Sequence, residues 1–185
     1  MLRVTGLPNN TYPGESDGNY WDSSKGVEWV DVASPGSPQL TVRSLLGKNA
    51  PGSIFKGGEG LWFSQGMAYF STKGDNRIWA LDVASQTLDV IYDFAKAQTP
   101  NNVLSGVDNL TLTPWGDLLV AEDGGNLELC NLRPDGSTQA LVQVTGQDKT
   151  ELTGPAFSPD GQRLYFSSQR GGSKRLGITY EIRRI

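Results

Sequence analysis

Four oxygen-bearing side chains flank one strand-like hairpin in the stretch GVDNLTLTPWGDLLVAEDGGN, residues 106–126. Asp108 and Asn109 precede its first apolar run, and Glu122 and Asp123 follow its second. Carboxylate and amide oxygens are the ligands that calcium and magnesium prefer. Because the chain has no histidine and a single cysteine, a metal site must be built mainly from such oxygens. Calcium is favoured, since it accepts six to eight oxygens in irregular geometry.

The lack of histidine also excludes much enzyme chemistry. A Ser-His-Asp triad is impossible, and the sequence contains neither a G-x-S-x-G nucleophile motif nor a G-x-x-x-x-G-K phosphate loop. For an enzyme, the remaining route is hydrolysis by water that a metal ion activates. Cys130 lies between apolar residues in NLELCNL and is interpreted as a buried structural thiol.

The composition favours one all-β domain. The 185 residues include 23 glycines and 10 prolines, which favours many turns and short strands. A net charge of −4 without clustered Lys or Arg argues against nucleic-acid binding. No apolar run is long enough for a membrane span, and the opening MLRVTGLPNN has no apolar region typical of a signal peptide.

Three stretches of the sequence resemble one another. Each has an alternating apolar run, a turn with glycine at its eighth position, a second apolar run, a glycine-rich turn and a third run. The stretches begin at Glu59, Asn109 and Gly154, and their turn glycines are Gly66, Gly116 and Gly161. Spacings of 50 and 45 residues between these glycines are typical of a propeller blade with four short strands.

The sequence therefore predicts an all-β, partial β-propeller with about three four-stranded blades plus an incomplete N-terminal blade. Residues 1–20 are predicted to be an irregular N-terminal segment and residues 21–185 the propeller domain. The stretch beginning KGVEWVDV at Lys25 is interpreted as the outer half of a preceding blade. Closed propellers have about four to eight blades, so a half ring should expose apolar faces. Further N-terminal blades or a second copy of the chain would then close the ring.

Matching places in successive blades surround the propeller axis, so the starts of the innermost strands share one rim. The second strand of each hairpin runs back and ends at the same rim. The predicted calcium ligands there are Glu59, Asp108, Asn109, Glu122 and Asp123. Grouped carboxylates repel one another unless a cation lies among them. Lys73 and Arg170 should reach the same rim, where they are candidates for binding an anionic group such as phosphate.

The stretches FKGGEGLWF, YFSTKGDNRIWALD, GVDNLTLTPWGDLLVAEDGG and ELTGPAFSPDGQRLYFSSQRG resemble, in this order, the C-terminal part of the PhoX-like alkaline phosphatase family. The resemblance covers about residues 26–180. It implies a β-propeller that hydrolyses small phosphate monoesters with calcium. The EG motif of the family matches Glu59, its DN motif matches Asp108 and Asn109, and its ED motif matches Glu122 and Asp123.

The resemblance carries further expectations. The family is usually exported, which implies a periplasmic or secreted protein, and the GGEG and SSQRG forms resemble a bacterial branch. Iron beside calcium is also implied, but Cys130 does not match the cysteine that the family offers to iron. Gly57 stands where phosphatase members tend to carry arginine. Because the N-terminal half of the family pattern is missing, we expect this chain by itself to have little or no activity.

Two other functions remain open at this point. A propeller can also be a non-catalytic binding module, and calcium-dependent lactonase-like propellers use Glu, Asn and Asp at the channel mouth. Acids and amides beside strands are also common turn formers that bond their own backbone. The sequence assigns no catalytic residue.

Overall fold

The computed structural model describes residues 1–7, 13, 23–31, 52–147, 150–171 and 176–183. These residues form thirteen β-strands and no helix. Accordingly, the described part of the chain contains no helix with the length and apolar character needed to cross a membrane.

Three antiparallel sheets follow one another along the chain. The first blade contains β3 (Gly58–Ser64), β4 (Met67–Thr72), β5 (Arg77–Asp82) and β6 (Thr87–Asp93). The second contains β7 (Val107–Leu112), β8 (Leu118–Glu122), β9 (Glu128–Leu132) and β10 (Thr138–Gln143), and the third β11 (Leu152–Phe157), β12 (Arg163–Ser168) and β13 (Ile178–Arg183). Within each blade the strands are neighbours in chain order. This succession of meanders is the predicted partial β-propeller.

The hairpins turn where the sequence predicted. Gly66, Gly116 and Gly161 all have positive φ, at 81°, 98° and 68°. In the first hairpin Gln65 also has a positive φ of 49°, which is the pattern of a type I′ turn. Such turns match the twist of the flanking strands, so each glycine allows the chain to reverse without splaying the hairpin.

The N-terminal region differs from the prediction. Leu2–Val4 form a strand, β1, although residues 1–20 were expected to be irregular; Pro8–Tyr12 and Gly14–Tyr20 lie outside the described residues. The second strand, β2 (Lys25–Trp29), pairs with β1 and also with the outer strand β6. The stretch from Lys25 therefore extends the first sheet and is not half of a preceding blade, while residues 32–51 lie outside the description.

The core lies between the blades. Ile78 and Tyr92 of the first blade pack against Val107, Val120 and Cys130 of the second. A second cluster joins the inner residues of the second and third blades, including Leu119, Leu129, Leu152, Leu164 and Phe166. Face-to-face packing of consecutive sheets fixes their separation and so determines which rim residues can meet.

The other face of the first blade is also covered. Val4 and Val27 of the β1–β2 pair are buried against it. Phe55 makes edge-to-face contacts with Phe70 and Trp79, with ring centroids 5.2 Å apart in both cases. This face is therefore covered over β4, β5 and β6, whereas it stays open over β3, where Leu61 and Phe63 pair with Phe70 and Ala68 and remain exposed.

The outer face of the third blade is polar. Arg163 pairs with Arg183, and Tyr165 pairs with Glu181, on the face that points away from the buried Leu164 and Phe166. Alternation along β12 and β13 directs the apolar side chains to the other face, where Ile182, which pairs with Leu164, is still 39% exposed. Exposed apolar side chains do occur on β3, where Leu61 and Phe63 are 69% and 62% exposed.

Candidate metal centre

A β-bulge interrupts the first strand of each blade near the same rim. The pairing register shifts between residues 58 and 61 of β3, between 107 and 110 of β7, and between 153 and 156 of β11. A bulge bends the strand and changes the direction of nearby side chains, which is why bulges are frequent beside functional sites. Here the bulged residues include Glu59 and Asp108.

The register makes Glu59 equivalent to Asp108. Counting back from the turn glycines had made Glu59 equivalent to Asn109. That assignment is wrong because the second hairpin turn contains one residue more than the first: Ser64 pairs with Met67, whereas Thr113 bonds to Asp117 across the longer turn. In the third blade, the pairing of Leu152 with Ser168 and the bond from the N–H of Gln169 to the oxygen of Glu151 give this place to Thr153, so that blade offers no carboxylate there. Gly154 corresponds to Asn109, as predicted.

Three carboxylates from two blades meet at the rim. One oxygen each from Asp108, Asp123 and Glu151 lies within 4.8 Å of the other two. Asp108 is in β7, Asp123 directly follows β8, and Glu151 directly precedes β11. Asp123 and Glu151 are held together by an isolated antiparallel bridge between their backbones. We call Asp108, Asp123 and Glu151 the rim cluster.

Glu151 was missed by the sequence analysis. It stands outside the innermost strand of its blade, three residues before Gly154, where the third repeat was taken to begin. The signal was present, since Glu151 is an acid directly before the first strand of the third repeat. The backbone bridge to Asp123 brings Glu151 close to the other two acids, and no sequence motif predicts that bridge.

Glu59 lies near the rim cluster without joining it. Its side chain is exposed, and it is not among the three carboxylates that converge within 4.8 Å. Its negative charge nevertheless acts on Asp108. Burial first, and then the charges of Glu59 and Glu151, raise the pKa of Asp108 to about 6. Burial and the two neighbouring acids together outweigh the lowering effect of Lys73 on this pKa.

The predicted phosphate-binding cations both reach the rim cluster. Lys73 forms an ion pair with Asp123, and the guanidinium of Arg170 lies 3.4 Å from the carboxylate of Glu151. The two cations therefore flank the three acids. Their role in phosphate binding remains a prediction.

Asn109 holds neighbouring groups in place. Its Oδ1 accepts hydrogen bonds from the hydroxyl of Thr153 and from the backbone N–H of Gly154, at 2.5 and 2.7 Å. Its Nδ2 donates to Oδ1 of Asp108 at 2.7 Å. Because a carbonyl oxygen has two lone pairs, the amide oxygen of Asn109 is fully used here. Asn109 thus orients Asp108 and fastens the second blade to the third.

Glu122 is not brought together with Asp108 and Asp123. It is fully buried, and its carboxylate accepts backbone N–H groups of Ser105 and Glu128 at 2.7 and 3.0 Å. Successive strand residues point to opposite faces, so Glu122 at the end of β8 points away from Asp123. Burial is the main reason why the pKa of Glu122 is raised to about 7.

Cys130 lies on that other side as well. It is buried, as predicted, and its thiol and the carboxylates of Glu122 and Glu128 form a separate group within 4.8 Å. Burial raises the pKa of the thiol above its usual range. The thiol belongs to the core between the first two blades, so it does not fit the role of an iron ligand in the rim cluster.

Close backbone contact positions Asp108. The hydroxyl of Ser71 accepts the N–H of Gly60 at 2.8 Å and donates to the backbone oxygen of Asp108 at 2.5 Å. A Cβ atom on Gly60 would lie 2.5 Å from the same oxygen. The glycine after Glu59 is therefore required by the tight approach of β3 to β7, which fixes Asp108 relative to the first blade.

The rim cluster fits a calcium ion by its chemistry. Calcium–oxygen bonds are about 2.3–2.6 Å long, so oxygens up to about 5 Å apart can share one ion. The three carboxylates satisfy that limit. Their negative charge and partial burial favour a divalent cation over a neutral ligand.

Part of the chain matches the model of a known protein family. A family model described as alkaline phosphatase PhoX matches residues 71–172, more than half of the chain. The matched segment contains the rim cluster, Lys73 and Arg170, but not Glu59. No curated protein sequence matches the chain significantly.

Solved structures similar to this chain include a luciferin-regenerating enzyme, with a TM-score of 0.50, 18% identity, and coverage of 88% of this chain and 57% of that one. Virginiamycin B lyase from Staphylococcus aureus matches with a TM-score of 0.48, 16% identity, and coverage of 69% and 42%. A structural genomics protein of unknown function from Bacteroides thetaiotaomicron matches with a TM-score of 0.46, 12% identity, and coverage of 63% and 28%. The first likeness supports the propeller fold. The chain spans less than two thirds of each of these structures.

Proposed function

Because the chain belongs to the alkaline phosphatase PhoX family, we propose that it carries part of the metal centre of a calcium-dependent phosphate monoester hydrolase. One observation carries the proposal: Asp108, Asp123 and Glu151 converge at one rim, inside the segment that matches the family. Lys73 and Arg170 stand beside them. Acids for a divalent ion next to cations for an anion are the combination that a phosphate ester requires.

Each residue then has a definite task. Asp108, Asp123 and Glu151 hold calcium, and Asn109 keeps Asp108 turned toward them. Calcium, when bound, supplies positive charge that screens the phosphate and makes a neighbouring water more acidic. Lys73 and Arg170 bind the non-bridging phosphate oxygens, Arg170 with its planar guanidinium and Lys73 as a compact charge.

Other rim positions contribute less. Glu59 is exposed and adds negative charge close to Asp108, so it is a candidate for an additional contact to the ion from the first blade. Gly57 has no side chain at the position where family members tend to carry arginine. Phosphate binding by this chain would therefore depend on Lys73 and Arg170. Cys130 gives no iron ligand at this rim.

The substrate is proposed to be a small phosphate monoester. The described residues form three blades, and closed propellers have about four to eight, so the remaining ligands of a complete centre are proposed to come from further blades or from a second copy. We therefore expect this chain alone to turn over little or no p-nitrophenyl phosphate. A longer family member that keeps the GGEG motif and the three rim acids should turn it over.

The test is a comparison of that longer relative with and without calcium. We expect p-nitrophenyl phosphate turnover with calcium, loss of turnover with EGTA, and loss on replacing the residue equivalent to Asp108 with Asn. The matched control replaces the residue equivalent to Asp135, in the exposed β9–β10 turn, with Asn. Absence of turnover with calcium would contradict the proposal. Hydrolysis of a lactone instead would favour a lactonase-like enzyme, and no hydrolysis of either would favour a binding module.

A further inference from the structure

Lys73 and Asp123 have the same place in successive blades. Lys73 directly follows β4, and Asp123 directly follows β8. The backbone N–H of Lys73 bonds to the oxygen of Gly57, and that of Asp123 bonds to the oxygen of Gly106, both at 2.8 Å. One position thus carries a base in the first blade and an acid in the second. Their side chains meet across the boundary between the blades.

We propose that Lys73 is a built-in placeholder: its ammonium neutralises the rim cluster when no metal is bound, and it turns to the substrate phosphate when a divalent ion takes its place. This inference rests on the proposed function, because it assumes that the rim cluster binds a divalent ion. It adds a step to that function, namely that the ion must displace a side-chain cation before the phosphate site is complete.

The charge of the rim cluster requires such a cation. Three carboxylates with oxygens inside 4.8 Å repel one another strongly. Lys73 contacts Asp123 directly, and its charge also acts on Asp108, whose pKa it lowers against the larger opposing effects of burial and of the acids. The ammonium therefore serves at least two of the three carboxylates.

Arg170 does not fill the same role. Its guanidinium contacts Glu151 only at 3.4 Å, and its side chain is 46% exposed, against 37% for Lys73. A planar guanidinium needs room for its fork of donors, whereas an ammonium is a compact charge. Of these two cations, Lys73 is the one suited to stand between closely spaced carboxylates.

The surroundings allow Lys73 to move. The hydrogen bond to Gly57 fixes its backbone, so a change of partner requires only rotation of the four-carbon side chain. Over a third of the side chain is open to solvent, which leaves space for a phosphate to approach. With a divalent ion held by Asp123, the ammonium of Lys73 would no longer be needed to neutralise that carboxylate, and an anion bound beside the ion would be its more favourable partner.

The prediction concerns two affinities of the full chain. Calorimetric titration with calcium should show Lys73→Met binding the ion more tightly than the unsubstituted chain, by about fivefold or more, since a half-exposed competing charge has been removed. With calcium saturating, inorganic phosphate should bind Lys73→Met at least about fivefold more weakly. Lys25→Met is the matched control, because Lys25 lies in β2, which β6 and β5 separate from β4 in the first sheet. It should change either affinity by less than about twofold.

The outcomes separate the two proposals. Equal calcium affinity in Lys73→Met and the unsubstituted chain would overturn the placeholder role and leave the proposed metal site intact. Unchanged phosphate affinity in Lys73→Met would contradict the proposal that Lys73 turns toward the substrate phosphate. If neither protein binds calcium, and Asp108→Asn behaves like both, the proposed function itself is overturned. The thermal midpoint without calcium gives a second readout: it should be lower for Lys73→Met, because the rim cluster then lacks its cation.

Discussion

Asp123 and Glu151 form an isolated β-bridge that joins the second blade to the third at the rim of the propeller. The bridge brings together two acids whose carboxylates would otherwise avoid each other, and Asp108 completes the group. The backbone bridge thus holds the two carboxylates close together in spite of their mutual repulsion. A cation bound between them would reduce that repulsion.

Replacing either bridged acid should weaken calcium binding. We expect Glu151→Gln and Asp123→Asn each to reduce calcium affinity about tenfold or more, because each removes one of three charged ligands. Calorimetry of the full chain measures the change. Asp135→Asn in the exposed β9–β10 turn is the control and should bind calcium as the unsubstituted chain does. Normal calcium affinity in Glu151→Gln would remove Glu151 from the site.

Glu122 should prove structural. Its two oxygens accept the N–H groups of Ser105 and Glu128, and glutamine would turn one acceptor into a donor facing an N–H group. We expect Glu122→Gln to lower the free energy of unfolding by about 1–3 kcal/mol, measured by urea denaturation. Calcium affinity of the folded variant should stay within about twofold. If Glu122→Gln instead lost calcium binding without losing stability, Glu122 would be a calcium ligand after all.

Asn109 should act on both stability and calcium binding. Asn109→Ala removes the hydrogen bonds to Thr153, Gly154 and Asp108. We expect a loss of about 1–3 kcal/mol in the free energy of unfolding and a smaller loss of calcium affinity than in Asp108→Asn, since Asp108 loses only its orientation. Calcium affinity reduced as strongly as in Asp108→Asn would instead indicate that Asn109 is a ligand.

Calcium binding should depend on pH through Asp108. Its pKa of about 6 lies above the ordinary value of 3.8, so below pH 6 the ion must displace a proton. Calcium affinity should therefore rise between about pH 5 and pH 7 and then level off. Titrations in buffers of different ionisation enthalpy should show proton release at pH 5.5 and almost none at pH 8. Asp108→Asn should abolish the release.

The same pKa has a defined effect on the metal-free chain. Because the folded value exceeds the unfolded one, the contribution of Asp108 to stability is fully present below about pH 3.8 and is lost as the pH rises through about 6. Glu122 acts in the same direction between its ordinary pKa of 4.5 and its folded value of about 7. Bound calcium should restore the stability that is lost through ionisation of Asp108 but not the stability that is lost through ionisation of Glu122.

The repeat made the propeller predictable. Alternating apolar runs and turn glycines such as Gly66 and Gly116 determine where strands lie and where they reverse, and these are local properties of the chain. The same pattern placed Asp108 and Asp123 at one rim. The strand Leu2–Val4 escaped prediction because three residues are too few to show a period, and its pairing with β2 is a long-range contact.

The exact membership of the site was less predictable. Counting residues could not detect the extra residue in the second turn, which shifts the equivalence of Glu59 from Asn109 to Asp108. Adjacent acids were treated as one pair, although the alternation of a strand sends Glu122 into the core and Asp123 to the rim. Glu151 enters through a bridge between blades, and such a contact leaves no mark in the local sequence.

A crystal structure of the chain grown with calcium would show directly whether the rim cluster binds the ion. We expect an ion within about 2.3–2.6 Å of a carboxylate oxygen from each of Asp108, Asp123 and Glu151, with the ammonium of Lys73 no longer paired to Asp123. An empty rim cluster at saturating calcium, with Lys73 still paired to Asp123, would contradict it.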